Sequence, residues 1–401
     1  ELSLPTILAG PEPTNIDYIM SAFNPYSHLW NDLYENKVAF ITILNFPNFT
    51  LQEKNEMGGN WSREQWAYAR MGDMFTSRVP AALNKEAAQA NADAENYIAS
   101  YNIMMGHLLD KKGNKLFPEN MVLLSHWNLR DEIKSNYANL PNAREKQEMI
   151  YQVMLRIIDG TIPLEVINNG AYDWAPYSNL TWKDGAEVTL ATEDTRRYER
   201  ILAHYKTMLK VDEYEPQRPT GIARNFESGM EIAPEEIEAL FVNLISSPQA
   251  KKVGKLIKKR LGRDLRPYDI WYDGFKSRSA ISEDDLTAQT QAKYPTPEAF
   301  EADMPRMLVE LGFSDADAQF IASKIKVQGA RGSGHAWGAA GRWENSLLRT
   351  RIGSEGMDYK GYNIAVHEFG HNVEEVISLY DIDYYTLAGI PNTGFTEASA
   401  F

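Results

Sequence analysis

His367, Glu368 and His371 stand in the string AVHEFGHNVEEV as an HExxH motif. Positions four apart on an α-helix sit one above the other on the same face, so both imidazoles can reach one metal ion. Glu368 then lies beside the ion, placed to handle a proton on a bound water. Imidazole and carboxylate ligands suit Zn²⁺, whose catalytic sites use three protein ligands and keep one position open for water. The chemistry implied is metal-assisted hydrolysis of a peptide bond. The plain alternative is an ordinary amphipathic helix, with the histidines on its polar face and Ile364, Phe369, Val373, Val376 and Ile377 facing a core.

A third ligand must come from elsewhere. The metzincin pattern needs Gly and His at 374 and 377, and this chain has Glu374 and Ile377 there, which excludes that class. A downstream carboxylate remains, with Glu397 in NTGFTEASAF as the best candidate. A break at Gly389, Ile390 and Pro391 lets a second helix return against the first, with Thr393 or Thr396 as its cap. Glu374 and Glu375 lie one turn beyond His371 and point away from the metal or toward its outer surroundings. Asp381 and Asp383 read as loop or cap residues.

These residues need a helix to hold them. The run from Tyr362 to Tyr380 has no Pro and the apolar spacing of a helix. Its one internal glycine, Gly370, costs roughly 1 kcal/mol against alanine. Either something packs very close between the two histidines, or the glycine is a tolerated defect.

The motif and its downstream glutamate resemble the thimet oligopeptidase and oligoendopeptidase F group of zinc peptidases, which have HEFGH or HELGH and, about 25 residues later, a helix bearing the glutamate ligand. Here that spacing is 26 residues, and TEASAF is similar to the family's second helix. GSGHAWG (332–338) resembles the glycine and GHA run that precedes the family's active-site edge strand, and LRPYDIWYDGF (265–275) resembles another of its segments. The likeness spans about residues 263–401. It implies His367, His371 and Glu397 as zinc ligands, Glu368 as general base and a peptide substrate. It further implies that Asn345, Ser346, Leu347, Leu348 and Arg349, in the stretch up to Ile352, form the strand edge that receives an extended peptide. His335 is either a site residue or a structural histidine, the latter favoured. The family's catalytic domain continues well past the glutamate ligand with a histidine and tyrosines for oxyanion stabilisation. The chain is therefore expected to be the N-terminal portion of a larger protein, with a C-terminal remainder as its partner. A non-catalytic peptide-binding or structural domain that keeps the fold is the competing reading.

The rest of the sequence sets bounds. With 401 residues, 43% of them hydrophobic, the chain has ample core for two or more structural units. A net charge of −14 excludes a nucleic-acid partner, which needs a basic footprint. The basic run Lys251–Arg260 reads as a solvated amphipathic helix, with a lipid or partner surface as the lesser alternative. Zero cysteines exclude disulfides, iron–sulfur clusters and thiol catalysis. No apolar run is long enough to span a membrane. A start at Glu1 without a signal sequence fits a trimmed chain or a mature exported or periplasmic protein, the latter slightly favoured over a cytoplasmic one.

The expected fold is mainly α, a multi-helical metallopeptidase with a small β-sheet beside the zinc-binding helix. Two regions are expected, 1–225 and 226–401, divided near the proline-rich EPQRPTGIARNFESG. Helices are predicted over 80–109, over 128–159 with a break at Pro141, and over 193–211, 234–245, 248–261, 297–311 and 314–325. Residues 160–192 suit a short hairpin or ordered loop. Residues 15–80 mix helix-like and strand-like runs.

Overall fold

The computed structural model describes residues 14–16, 26–125, 127–138, 140–275, 281–330, 334–389 and 393–401. Helix accounts for 60% of the described residues and strand for 11%, which makes the fold mainly α with small sheets. Contacts do not divide the chain with a single cut at 225. One unit comprises 1–89, 207–237 and 279–401, and the other 90–206 and 238–278. The proline-rich stretch expected to be a linker falls wholly inside the first unit. Arg218 within it is buried, and Thr220 caps the short helix α3 (Gly221–Arg224), which runs on into a π-helical turn over Asn225–Met230.

The first unit begins, among its described residues, with helices alone, including Tyr26–Glu35 and Val38–Asn45. The run VAFITILN is helical, with only Ala39 and Thr42 of it buried. Helices α1 (Leu51–Met57) and α2 (Arg63–Gly72) both start from capping boxes, Thr50 with Glu53 and Ser62 with Gln65. Helices α4 (Glu283–Lys293), α5 (Pro297–Glu310) and α6 (Asp315–Ser323) follow, the last two capped by Thr296 and Ser314. The chain then forms β1 (Ile325–Ala330), β2 (His335–Trp337) and β3 (Ser346–Arg351), and ends on α7 (Tyr359–Tyr380) and α8 (Thr393–Ala400).

The three strands form a sheet in the order β1-β3-β2, with β1 parallel and β2 antiparallel to β3. Burial alternates along β3. Ser346, Leu348 and Thr350 are buried, while Leu347, Arg349 and Arg351 are partly exposed. Leu348, Ile325 and Val327 meet Phe300 and Met304 of α5 and Phe369 and Val376 of α7 in one core cluster. That core fixes the HExxH helix against the sheet, and burying each large side chain contributes about 1.5–3 kcal/mol.

The second unit has its own core, with Leu129 and Ile133 packed with Ile150, Val153 and Trp174. Helices Asn128–Ser135 and Ala143–Ile158 flank the predicted break at Pro141. Residues 173–188 form a three-stranded antiparallel meander, the structure behind the expected hairpin. LRPYDIWYDGF lies here, not with the HExxH helix, and contributes a short 3₁₀ helix, Pro267–Trp271. Its buried Asp269 pairs with Arg263 at 2.7 Å and accepts from Tyr137 Oη at 2.6 Å. Among the described residues no helix is long and apolar enough to cross a membrane. The basic run lies on helix Pro248–Leu261, where Val253 and Leu256 are exposed.

Candidate metal centre

Helix α7 starts three residues before the predicted Tyr362, because Asp358 caps it by accepting the Gly361 N–H at 2.6 Å. Its first turn is tied to β3, where Thr350 Oγ1 donates to the Gly361 carbonyl at 2.6 Å. A side chain at Gly361 would place Cβ 2.3 Å from the Arg351 carbonyl oxygen. The two readings of this helix are two faces of one element. Phe369 and Val376 are buried in the core, with Val373 and Ile377 packed beside them, while His367, Glu368 and His371 face elsewhere.

Helix α8 lies antiparallel to α7. Thr396 approaches Glu374, Glu397 approaches His371 and His367, and Phe401 stacks edge-on against His367, so partner numbers fall as the chain rises. Gly370 is where the two backbones meet. A Cβ there would sit 2.6 Å from Ala400 Cα. The glycine is therefore a packing requirement and not a tolerated defect. Gly389 turns the chain between the helices with φ 94°. Ile390 and Pro391, the rest of the expected break, lie outside the described residues. Thr396 falls inside α8 and is not its cap, and Thr393 is the first helical residue.

Three donor groups converge. His367 Nε2 and His371 Nε2 are 3.1 Å apart, and Glu397 places one oxygen 3.3 Å from His367 Nε2 and the other 3.8 Å from His371 Nε2. Tetrahedral ligands at 2.0–2.1 Å from zinc would stand about 3.3 Å from one another. The three residues could therefore hold a metal ion such as Zn²⁺. Among the described residues these three form the one group of histidines and carboxylates spaced for a metal ion.

The surroundings tune these groups. Burial first, and then Glu397 and Glu375, push the Glu368 carboxyl up to about 7 against the pull of the Ala336 backbone N–H. His371 is held below the usual imidazole range by burial and then by His367, with Glu397, Glu374 and the Thr396 backbone pulling the other way. Its Nδ1 is buried and makes no hydrogen bond of normal geometry. Glu374 accepts from Ser378 Oγ at 2.7 Å, which keeps it in the outer surroundings as expected. Asp381 caps the C-terminal end of α7, and Asp383 forms an ion pair with Arg63 of α2.

The predicted substrate strand is not an edge. β3 is bonded on both sides, by β1 along its length and by β2 over Leu347–Arg349, so Leu347–Arg349 have no free backbone row to offer a peptide. Ser346 and Leu348 are buried, Asn345 precedes the strand, and Leu347 and Arg349 lie on the opposite face. Arg349 stacks over Trp337 at 4.6 Å and donates to Gln328 at 2.8 Å. Among the described residues the outer edge beside the HExxH helix belongs to β2, the strand of the GHA run. Gly334 lets that strand come close, since its Cβ would lie 2.1 Å from Ile364 Cγ2 and 3.5 Å from Glu368 Cγ. His335 packs edge-on against Trp337, and burial, then His371 and Arg349, favour its neutral form.

One positioning residue escaped the sequence reading. Asn372 is fully buried next to His371, donates to Glu375 at 2.9 Å and faces the Leu347 carbonyl at 3.4 Å. The signal was a polar residue on the stripe Phe369, Asn372, Val376, where helical spacing calls for an apolar one. Comparisons with protein-family models, with curated proteins and with solved structures gave no match.

Proposed function

We propose that this chain carries the metal centre of a zinc-dependent peptidase acting on oligopeptides. The observation that supports this most is the convergence of His367, His371 and Glu397 from two helices, with Glu368 next to the first ligand. His367 and His371 offer neutral nitrogens and Glu397 a negative charge, a donor set that leaves a position open. A bound Zn²⁺ supplies Lewis acidity toward a substrate carbonyl and toward water. Glu368 takes the proton that the water loses on attack and returns it to the departing amine. An extended peptide adds to the outer edge of β2, the unpaired strand nearest Glu368.

Metal content and turnover on a peptide library test this together. Wild type should hold about one zinc per chain. Glu397→Ala should lose it. Glu368→Gln should keep the metal and lose turnover by roughly 10²–10⁴. Undiminished turnover in Glu368→Gln would remove the mechanism, and zinc indifferent to Glu397 would remove the ligand assignment.

A further inference from the structure

Arg218, in the proline-rich stretch ahead of α3, is only 7% exposed. Its Nε is buried without a hydrogen-bond partner, and its nearest carboxylate, on Glu227, stands at 3.4 Å. A guanidinium keeps its charge at any working pH, so burying one with its Nε donor unused is unfavourable unless a ligand completes it. Arg218 lines a cavity of about 560 Å³ inside the first unit. The other cations on its wall are engaged. Lys54 binds Asp73 at 2.7 Å and Glu231 at 3.1 Å, Arg70 binds Glu231 at 2.6 Å, and Arg224 binds Asp212 at 2.6 Å. Among the described residues Arg218 is the guanidinium there with a buried donor, its Nε, that makes no hydrogen bond, although the group stands in an ion pair with Glu227.

The charge around the cavity limits which oxyanion. Lys54, Arg70, Arg218 and Arg224 are matched by Asp73, Glu231, Glu227 and Asp212, and Glu215 also lines the wall with no ion pair among the described residues. A bare polyanion would face that surplus carboxylate, whereas a ligand with its own ammonium would neutralise it. We infer that this cavity binds a small zwitterion, a free amino acid or the ends of a short peptide, with its carboxylate on Arg218 and its ammonium toward Glu215. Tyr385 and Thr386 complete the wall. They lie on the connector between α7 and α8, where Thr386 Oγ1 donates to the Ala67 carbonyl of α2 at 3.0 Å. The site shares no residue with the metal centre, so it stands or falls independently of the peptidase reading.

The test is calorimetric titration of the full chain at neutral pH with alanine, alanylalanine, N-acetylalanine and inorganic phosphate. Alanine or alanylalanine should saturate, and which of them binds tighter identifies free amino acid or peptide as the occupant. N-acetylalanine and phosphate should bind weaker by roughly tenfold or more, and Arg218→Gln should weaken the zwitterion by a similar factor with zinc content unchanged. Glu215→Gln, which leaves Arg218 in place, should abolish the preference for a free amine over the acetylated one, and it decides the matter if Arg218→Gln does not fold. No saturation by either zwitterion up to roughly 10 mM, binding unchanged in Arg218→Gln, or phosphate binding tighter than both would overturn the inference.

Discussion

Gly370→Ala sets two physical effects against each other. Helix propensity alone favours alanine in mid-helix by about 1 kcal/mol. The packing says the reverse, because the new Cβ would lie 2.6 Å from Ala400 Cα and 3.1 Å from the Ala400 carbonyl oxygen. Carbon atoms sit comfortably at about 3.5–4.0 Å, so α8 has to retreat by about 1 Å. The obstacle is backbone, which cannot rotate away as a side chain would. Ala400 and Glu397 lie on the same helix within one turn, so the retreat carries the Glu397 carboxylate with it. Metal–ligand distances tolerate only about 0.2 Å. Zinc affinity should therefore fall by about 10–100-fold, the range found when a ligand's support is disturbed. Overpacking costs of about 1–3 kcal/mol should also outweigh the propensity gain in the metal-free protein. A competition titration against a chelator reads the first effect, and thermal melts of the metal-free variants read the second. Gly254 is the control, since it lies in mid-helix over Pro248–Leu261 and its Cβ would meet nothing closer than Leu265 Cδ1 at 3.9 Å. Gly254→Ala should raise stability by about 0.4–1 kcal/mol. If Gly370→Ala binds zinc like wild type and melts higher, as Gly254→Ala should, the close approach of α8 to the HExxH helix is wrong.

Thr350→Val, which removes the donor to the Gly361 carbonyl deep under α7, should cost about 1–3 kcal/mol in denaturant unfolding, and a neutral result would mean that this tie does not hold the helix. Asn372→Leu keeps the branched shape near His371 but drops the amide that faces the sheet, so it should lower zinc affinity more than overall stability, as comparison of chelator titrations with melts would reveal. In the second unit, burial would raise the Asp269 pKa, but Arg263, the Arg266 backbone N–H and Tyr137 outweigh it and hold the carboxyl below the usual aspartate range. A carboxyl depressed on folding binds fewer protons folded than unfolded, so its contribution is complete above the unfolded pKa of about 4 and fades as pH falls through the folded value. Asp269→Asn should therefore flatten the loss of stability between neutral pH and pH 3, and an unchanged slope would show that this carboxylate does not drive it.

How much of this was legible beforehand depended on whether a feature is local. HExxH on a helix is a matter of spacing, and the chain delivers both histidines and Glu368 to one face with Phe369 and Val376 on the other. Helix starts were readable at Thr296 and Ser314, where the side chain accepts the N3 amide, but the Asp358 cap that starts α7 was missed. The choice of Glu397 over Glu374 also followed from spacing, since a residue one turn past His371 on the same helix cannot turn back while a returning helix can.

The features that were misread are pairings between distant segments. NSLLRTRI has the same composition whether it ends a sheet or lies in its middle, and only the arrival of Ile325–Ala330 on one side and His335–Trp337 on the other made it central. The proline-rich stretch around Arg218 looked like a linker because proline and glycine report local stiffness and not what packs on top. The sequence by itself determined the donor types, their helical spacing and the mainly α character, because these depend on side-chain chemistry and a 3.6-residue repeat. Only the tertiary structure decided that Gly370 admits the backbone of α8, that β2 is the edge beside Glu368 and that Arg218 is buried with no hydrogen bond on its Nε, because each depends on how segments pack and not on local spacing.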